Sequence, residues 1–281
     1  MCRQTVLAAV LATLTTVPAG ARAFEADGAG QPSPCPAGGA KPTVVLVHGA
    51  WADTSSWNGV MASLRKSGYA VRAIANPVQN LTTDAASVAA FLKTISGPVV
   101  LAGHSYGGSV ITNAAAHTPN VKALVYVDAA APDVGETNGQ LSGSDSVLKK
   151  ESPASLYDKM SYAGATGTVT DLYLKKDFFL RSFAADLDRE TATRLWASQR
   201  AASTGAFETP SKAAAWKTIP SWFFISTGDV VITRSAQLWM ARRAKSKISE
   251  FEGGSHLTLI SHPRKVASMI DSAICATRRT S

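Results

Sequence analysis

After Lys41 the chain alternates short runs of β-branched residues with segments of helical period, and this alternation constrains the fold more than any other feature. Strands joined through helices run parallel. Helices on both faces bury such a sheet, so its strands read as continuous apolar runs. Thr43 to Val47 is the first of these. A helix is expected from about Trp57 to Ser67, capped by Thr54, Ser55 or Ser56 and closed by Gly68, with Ala70 to Ile74 as the next strand. The rhythm continues with a helix from Thr83 to Ile95, a strand from Val99 to Ala102, a helix from about Tyr106 to His117 and a strand from Val121 to Val127. It breaks from about Pro132 to Lys217. That stretch lacks strand runs and reads as a helical insertion (132–217) with Ser-, Gly- and Thr-rich joints at 139–146 and 163–170. The strand Pro220 to Ser226, helix Thr233 to Ala244, strand Ile248 to Phe251 and helix Pro263 to Ile274 complete an α/β domain over residues 42–281.

With 46% hydrophobic and 17% charged residues in 281, the chain is too apolar for a disordered protein and long enough to bury a full core. Its longest apolar run, Val6 to Val17, follows Arg3 and falls short of the roughly 20 helical residues that span a bilayer. It reads as the core of a secretory signal, with the small-x-small pattern Ala21-Arg22-Ala23 as its cleavage site. Residues 1–23 are therefore expected to be removed. Residues 24–41 are expected to be a flexible leader, and the mature protein to be secreted or periplasmic, with no integral membrane segment. The net charge of +8 is dispersed over pairs such as Lys149-Lys150 and Arg242-Arg243, and no nucleic-acid motif accompanies it. No nucleic-acid partner is expected. The sequence leaves the oligomeric state open.

The chemistry begins where Val99 to Ala102 runs into Gly103-His104-Ser105-Tyr106-Gly107-Gly108 and then into a helix. A serine on so tight a strand-to-helix turn presents its hydroxyl, and Gly103 and Gly107 keep the neighbouring backbone clear. The helix that starts beside it directs N–H groups at any anion forming there. A serine hydroxyl needs a base, and the base needs a carboxylate to fix its tautomer. Asp229, after the strand ending at Ser226, and His256, after the Gly253-Gly254-Ser255 turn, stand in the expected order. Asp128 also ends a strand, so it stays open as the alternative acid. His48, His104, His117 and His262 are placed less well and are read as structural. For an oxyanion, the N–H of Ala50 in His48-Gly49-Ala50-Trp51 is set opposite the N–H of Tyr106. Trp51 is expected to wall the pocket.

These four segments, H-G-A-W, G-H-S-Y-G-G, T-G-D and G-S-H, together resemble the α/β-hydrolase superfamily over nearly all of Pro42 to Ala276, and its small-lid carboxylesterase and hydroxynitrile-lyase-like branch in particular. The resemblance implies a mostly parallel central sheet of the eight-strand type, shortened at its N-terminal edge and flanked by helices. It further implies a helical lid inserted after the strand ending near Val127, no metal and no cofactor. The lyases of this branch carry Thr where this chain has Gly49 and Lys where it has Leu257. Those departures favour an esterase acting on a small-molecule ester through an acyl-enzyme on Ser105, with Leu257 in the substrate pocket. Hydroxynitrile-lyase-like activity, cofactor-free perhydrolysis and a ligand-binding relative with vestigial turnover are the alternatives.

The insertion is rich in Tyr, Phe and Trp, which fits a lid over a small to medium apolar ester. Gln199 within it faces either the site or solvent. Once Cys2 has left with the signal, two cysteines remain, and in the implied fold Cys35 and Cys275 both lie towards the amino-end face of the sheet. Whether they are joined is left open.

Overall fold

The computed structural model describes residue 1, residue 35, residues 40–165 and residues 167–279. The expected signal peptide and most of the 24–41 leader lie outside the described residues. In chain order the strands are β1 (Thr43–Val47), β2 (Val71–Ile74), β3 (Val99–His104), β4 (Val121–Val127), β5 (Tyr157–Gly164), β6 (Gly167–Leu174), β7 (Ala202–Ser203), β8 (Ser221–Ser226) and β9 (Lys247–Phe251). Six of them form a parallel sheet in the order β2-β1-β3-β4-β8-β9. The winding reverses between β1 and β3, and at such a switch point the loops leaving the two strands part and open a crevice at their carboxyl ends. Val47 pairs with Gly103, so His48 and His104 leave the sheet side by side.

Burial follows position in the sheet. Every residue of β3 and β8 is buried, whereas the edge strands β2 and β9 are partly exposed, as the polar residues Arg72, Lys247 and Glu250 require. The helix α1 (Asn58–Lys66) and the last helix (Pro263–Arg279) pack together on one face, and α2 (Leu81–Leu92) and α3 (Tyr106–Ala114) pack together on the other. Caps set the helix starts. Asn80 accepts from the Thr82 N–H and opens α2 two residues before Thr83. Asp53, not Thr54 or its serine neighbours, accepts from the Ser55 N–H and caps the 3-10 turn leading into α1.

The insertion departs from an all-helical reading. β5 and β6 pair antiparallel from Tyr157–Leu174 to Gly164–Gly167, and β7 adds a short third strand. The supposed joint at 163–170 is the tip of this hairpin. Most of β5 is solvent-exposed, so no apolar alternation marks it, and its pairing comes from β6 rather than from burial. Helix is confined to short segments, of which Arg189–Ala197 has nine residues. A bidentate ion pair of Arg243 with Glu136 ties the base of the insertion to the sheet domain, with the guanidinium stacked against Trp216 and Trp239.

Cys35 and Cys275 form a disulfide with their Cα atoms 5.0 Å apart, fastening the segment before β1 to the last helix. No helix among the described residues is long and apolar enough to cross a membrane.

Candidate active site

Ser105 sits between β3 and α3 with φ at 53°, a left-handed conformation that L residues rarely adopt and that lifts its side chain out of both elements. The packing around it explains the glycines. A Cβ on Gly103 would overlap the Gly107 carbonyl group, and one on Gly107 would overlap the Val47 carbonyl. Gly49 is as constrained: a Cβ there would lie 2.6 Å from the Ser105 Cβ.

The structure brings Ser105, His256 and Asp229 together. His256 Nε2 lies 2.8 Å from Ser105 Oγ, and its Nδ1 lies 2.8 Å from Asp229 Oδ2. Asp229 Oδ1 accepts the N–H groups of Val231 and Ile232 at 2.8 and 3.1 Å, and Oδ2 accepts Gln237 Nε2 at 3.2 Å. Four N–H groups thus converge on this carboxyl once the His256 Nδ1–H is counted. They favour the carboxylate against burial, which raises its pKa. Burial also lowers the pKa of the His256 imidazole and outweighs the Asp229 carboxylate at Nδ1, which favours the charged ring, so the imidazole is neutral at physiological pH. Desolvation penalises the charged form of a group enclosed by protein, and His256 has no exposed surface. The Phe183 ring stands 5.0 Å from the imidazole and the His104 ring 4.9 Å from it.

The alternative acid, Asp128, does not reach His256. Its carboxyl turns instead to the end of β8, accepting the Ser226 N–H at 2.7 Å and lying 2.9 Å from Ser226 Oγ.

The loop after β1 lies against Ser105. The N–H groups of Ala50, in the loop after β1, and of Tyr106, the first residue of α3, hydrogen-bond to no described residue, and these are the donors expected for an oxyanion. His48 fixes this loop by accepting the Asn76 N–H on Nε2 at 2.9 Å and donating from Nδ1 to the Gly49 carbonyl at 2.8 Å. His104 Nε2–H donates to the His256 carbonyl at 2.8 Å, so the histidine beside the serine steadies the loop carrying His256. Tyr106 O–H donates to Asp84 at 2.8 Å and joins the start of α3 to α2.

Ser105 opens into a cavity of about 220 Å³ walled by Trp51, Tyr157, Leu172, Phe207, Val231 and Ile232. Trp51 stacks on Tyr157 and Phe207, and its indole N–H donates to the Leu172 carbonyl at 2.9 Å. Leu257 is not in this wall. It lines an adjacent crevice of about 20 Å³ with Trp51, Phe179 and Leu195, because the residue after His256 turns towards the insertion. Gln199 is half-buried and does not line the Ser105 cavity; its amide brackets Leu174 by bonding both backbone groups.

Sequence reasoning passed over the insertion's contribution. Asp186 accepts from the hydroxyls of Ser255 and Ser261 on either side of His256, and the Ser255 hydroxyl also reaches the Phe183 carbonyl. No local signal marks these residues, since Asp186 lies 69 residues from Ser255.

Residues 44–269 match the profile described as the alpha/beta hydrolase family. Among curated relatives, the alpha/beta hydrolase nvfD of Aspergillus novofumigatus is 28% identical over 261 residues, covering 83% of this chain and 96% of that protein. A carbendazim hydrolyzing esterase of Nocardioides sp. is 33% identical over 106 residues, which cover 33% of this chain and 44% of the esterase, so the chain spans less than half of that relative. Polyneuridine aldehyde esterase has a similar structure, with a TM-score of 0.70 at 17% identity over 83% of this chain and 99% of that one. An extracellular alpha/beta-hydrolase from a Paenibacillus species follows with a TM-score of 0.67 at 21% identity, covering 83% of this chain and 98% of that one.

Proposed function

The chain belongs to the alpha/beta hydrolase family, and from that premise we propose that it is an exported serine esterase cleaving small to medium apolar carboxylic esters. The observation that carries this reading is the hydrogen-bonded chain Ser105–His256–Asp229 at a cavity whose wall combines Trp51, Tyr157, Leu172, Phe207, Val231 and Ile232 with polar groups such as Asn138, Lys149 and Glu208. His256 Nε2 takes the Ser105 proton as Oγ attacks the ester carbonyl, and the N–H groups of Ala50 and Tyr106 receive the oxyanion. Asp229 holds the proton-bearing Nδ1 and stabilises the imidazolium. His256 then protonates the departing alcohol and activates the water that cleaves the acyl-enzyme.

Two observations favour hydrolysis over cyanohydrin cleavage. The backbone beside Ser105 leaves no room for a side chain at Gly49, and Leu257 is an apolar residue outside the Ser105 cavity. The esterase names among the relatives point the same way. Export is supported by the apolar run Val6 to Val17 and by the Cys35–Cys275 disulfide, a bond that persists in oxidising compartments.

The test is hydrolysis of p-nitrophenyl esters of increasing acyl length by the protein from Phe24 onward, beside Ser105→Ala. The wild type is expected to favour short acyl chains, and Ser105→Ala to lose activity by about 10³-fold or more. An undiminished Ser105→Ala protein would end the acyl-enzyme account, and a folded wild type inert towards every ester would end the esterase reading.

A further inference from the structure

Behind His256 lies a buried polar chain for which the acyl-enzyme mechanism has no use. From Asp128 Oδ2 it runs 2.9 Å to Ser226 Oγ, 2.7 Å to Thr258 Oγ1 and 2.7 Å to the carbonyl of Ser255, the residue before His256. Asp128, Ser226 and Thr258 are fully buried. Three oxygen-to-oxygen links need three hydrogens, and the two hydroxyls supply only two. With Asp128 ionised, one link must set bare lone pairs against each other at hydrogen-bonding distance, between groups that are fully buried. A proton on Asp128 Oδ2 completes the set. Asp128 then donates to Ser226, Ser226 to Thr258, and Thr258 to the Ser255 carbonyl. Asp128 Oδ1 remains free to accept the Ser226 N–H, as the 2.7 Å distance shows.

The same counting at Asp229 gives the opposite result. Its two oxygens accept four N–H groups, from Val231, Ile232, Gln237 and His256, so both are already met by donors and a carboxylic acid proton on either would have to displace one. Gln237 lies against both carboxyls, but its two amide hydrogens are directed at Asp229 Oδ2 and the Ile232 carbonyl. We propose that the two buried carboxyls hold one proton between them, that it resides on Asp128, and that Asp128 acts as a neutral positioning residue fixing the His256 loop through Ser226 and Thr258. Burial and the negative charge of Asp229, the charged group that bears on Asp128, both push its carboxyl well above the ordinary range. Asp128 itself sits at φ 44°, a strained backbone that the Ser226 bonds hold in place. The positioning role rests on the esterase reading, whereas the proton on Asp128 does not.

Asp128→Asn is the decisive variant, because a carboxamide reproduces a neutral carboxylic acid, with its N–H donating to Ser226 Oγ and its carbonyl accepting the Ser226 N–H. A group whose pKa is raised by folding lends stability that is complete below its unfolded value and is lost as pH rises through its folded value. The melting temperature of wild type relative to Asp128→Asn is therefore expected to decline steadily between about pH 5 and pH 8. Infrared difference spectra of wild type minus Asp128→Asn at neutral pH should show a protonated-carboxyl C=O stretch, which needs no turnover. Asp128→Asn is expected to retain ester hydrolysis within about threefold with an unmoved acid limb. Asp128→Leu, which cannot donate to Ser226, should lose about tenfold or more in kcat with little change in KM. Parallel melting curves with no carboxyl band would overturn the proton assignment. An acid limb shifted to lower pH in Asp128→Asn would show that a negative charge had been removed and would overturn it too. Equal activity in Asn and Leu variants would overturn the positioning role. If the wild type hydrolyses no ester, the functional reading fails while melting and infrared still decide where the proton lies.

Discussion

His256 is enclosed by Phe183 and His104, and enclosure decides its protonation. An exposed histidine begins to protonate near 6.5, at which point Nε2 no longer accepts from a serine. Burial lowers the pKa of His256 below that value, so kcat/KM for a p-nitrophenyl ester is expected to stay flat as pH falls through 6.5, with its acid limb below. An acid limb above 6.5 would contradict the burial argument. Asp229→Asn keeps the shape but presents an N–H to Nδ1, which favours the wrong tautomer, and kcat should fall by about 10³- to 10⁴-fold. Trp51 divides the Ser105 cavity from the crevice lined by Phe179 and Leu257. Trp51→Ala should join the two spaces and shift the acyl-chain preference towards longer esters, read as the ratio of kcat/KM for long and short chains. Ser105 and His256 were legible as polar residues just after strands. Asp229 was legible from its place in the T-G-D segment ahead of the histidine, with Asp128 the alternative because it too ends a strand, and the direction of the side chains excludes Asp128.

At the scale of elements, the turn from β3 into α3 depends on close backbone approach. Gly107→Ala would drive a methyl group into the carbonyls of Val47 and His48, and the strain should cost about 1 to 3 kcal/mol in denaturant unfolding, with loss of activity. Neutral behaviour would mean that β1 can retreat. The insertion is fastened to the His256 loop through Asp186. Asp186→Ala leaves the Ser261 hydroxyl without its acceptor and the Ser255 hydroxyl with the Phe183 carbonyl alone, and should lower kcat more than it changes KM, as measured by initial rates. The β5–β6 hairpin shows why the insertion was misread as helical. Its outer residues, such as Asp158, Met160 and Tyr162, face solvent, so neither a period-two apolar pattern nor a continuous run exists to be read. Central strands such as β3 and β8, buried on both faces, announce themselves by unbroken apolar sequence.

For the whole molecule, the Cys35–Cys275 disulfide closes a loop of 240 residues and ties the start of the domain to its last helix. Its removal in Cys35→Ser/Cys275→Ser should cost about 2 to 5 kcal/mol of stability, seen as a lower melting temperature than that of the oxidised protein. Local pattern was sufficient for the order of the sheet's strands and helices, the strained serine turn and the histidine loop. These carry local signals: β-branched runs, caps, and glycines placed on either side of a strand-to-helix turn. The hairpin in the insertion, the latch at Asp186, the turning away of Leu257 and the approach of Cys35 to Cys275 were decided only on folding, which also excluded Asp128 as the alternative partner of His256. Each joins residues far apart in the chain, or depends on which way a side chain points, and no periodicity in a sequence records either.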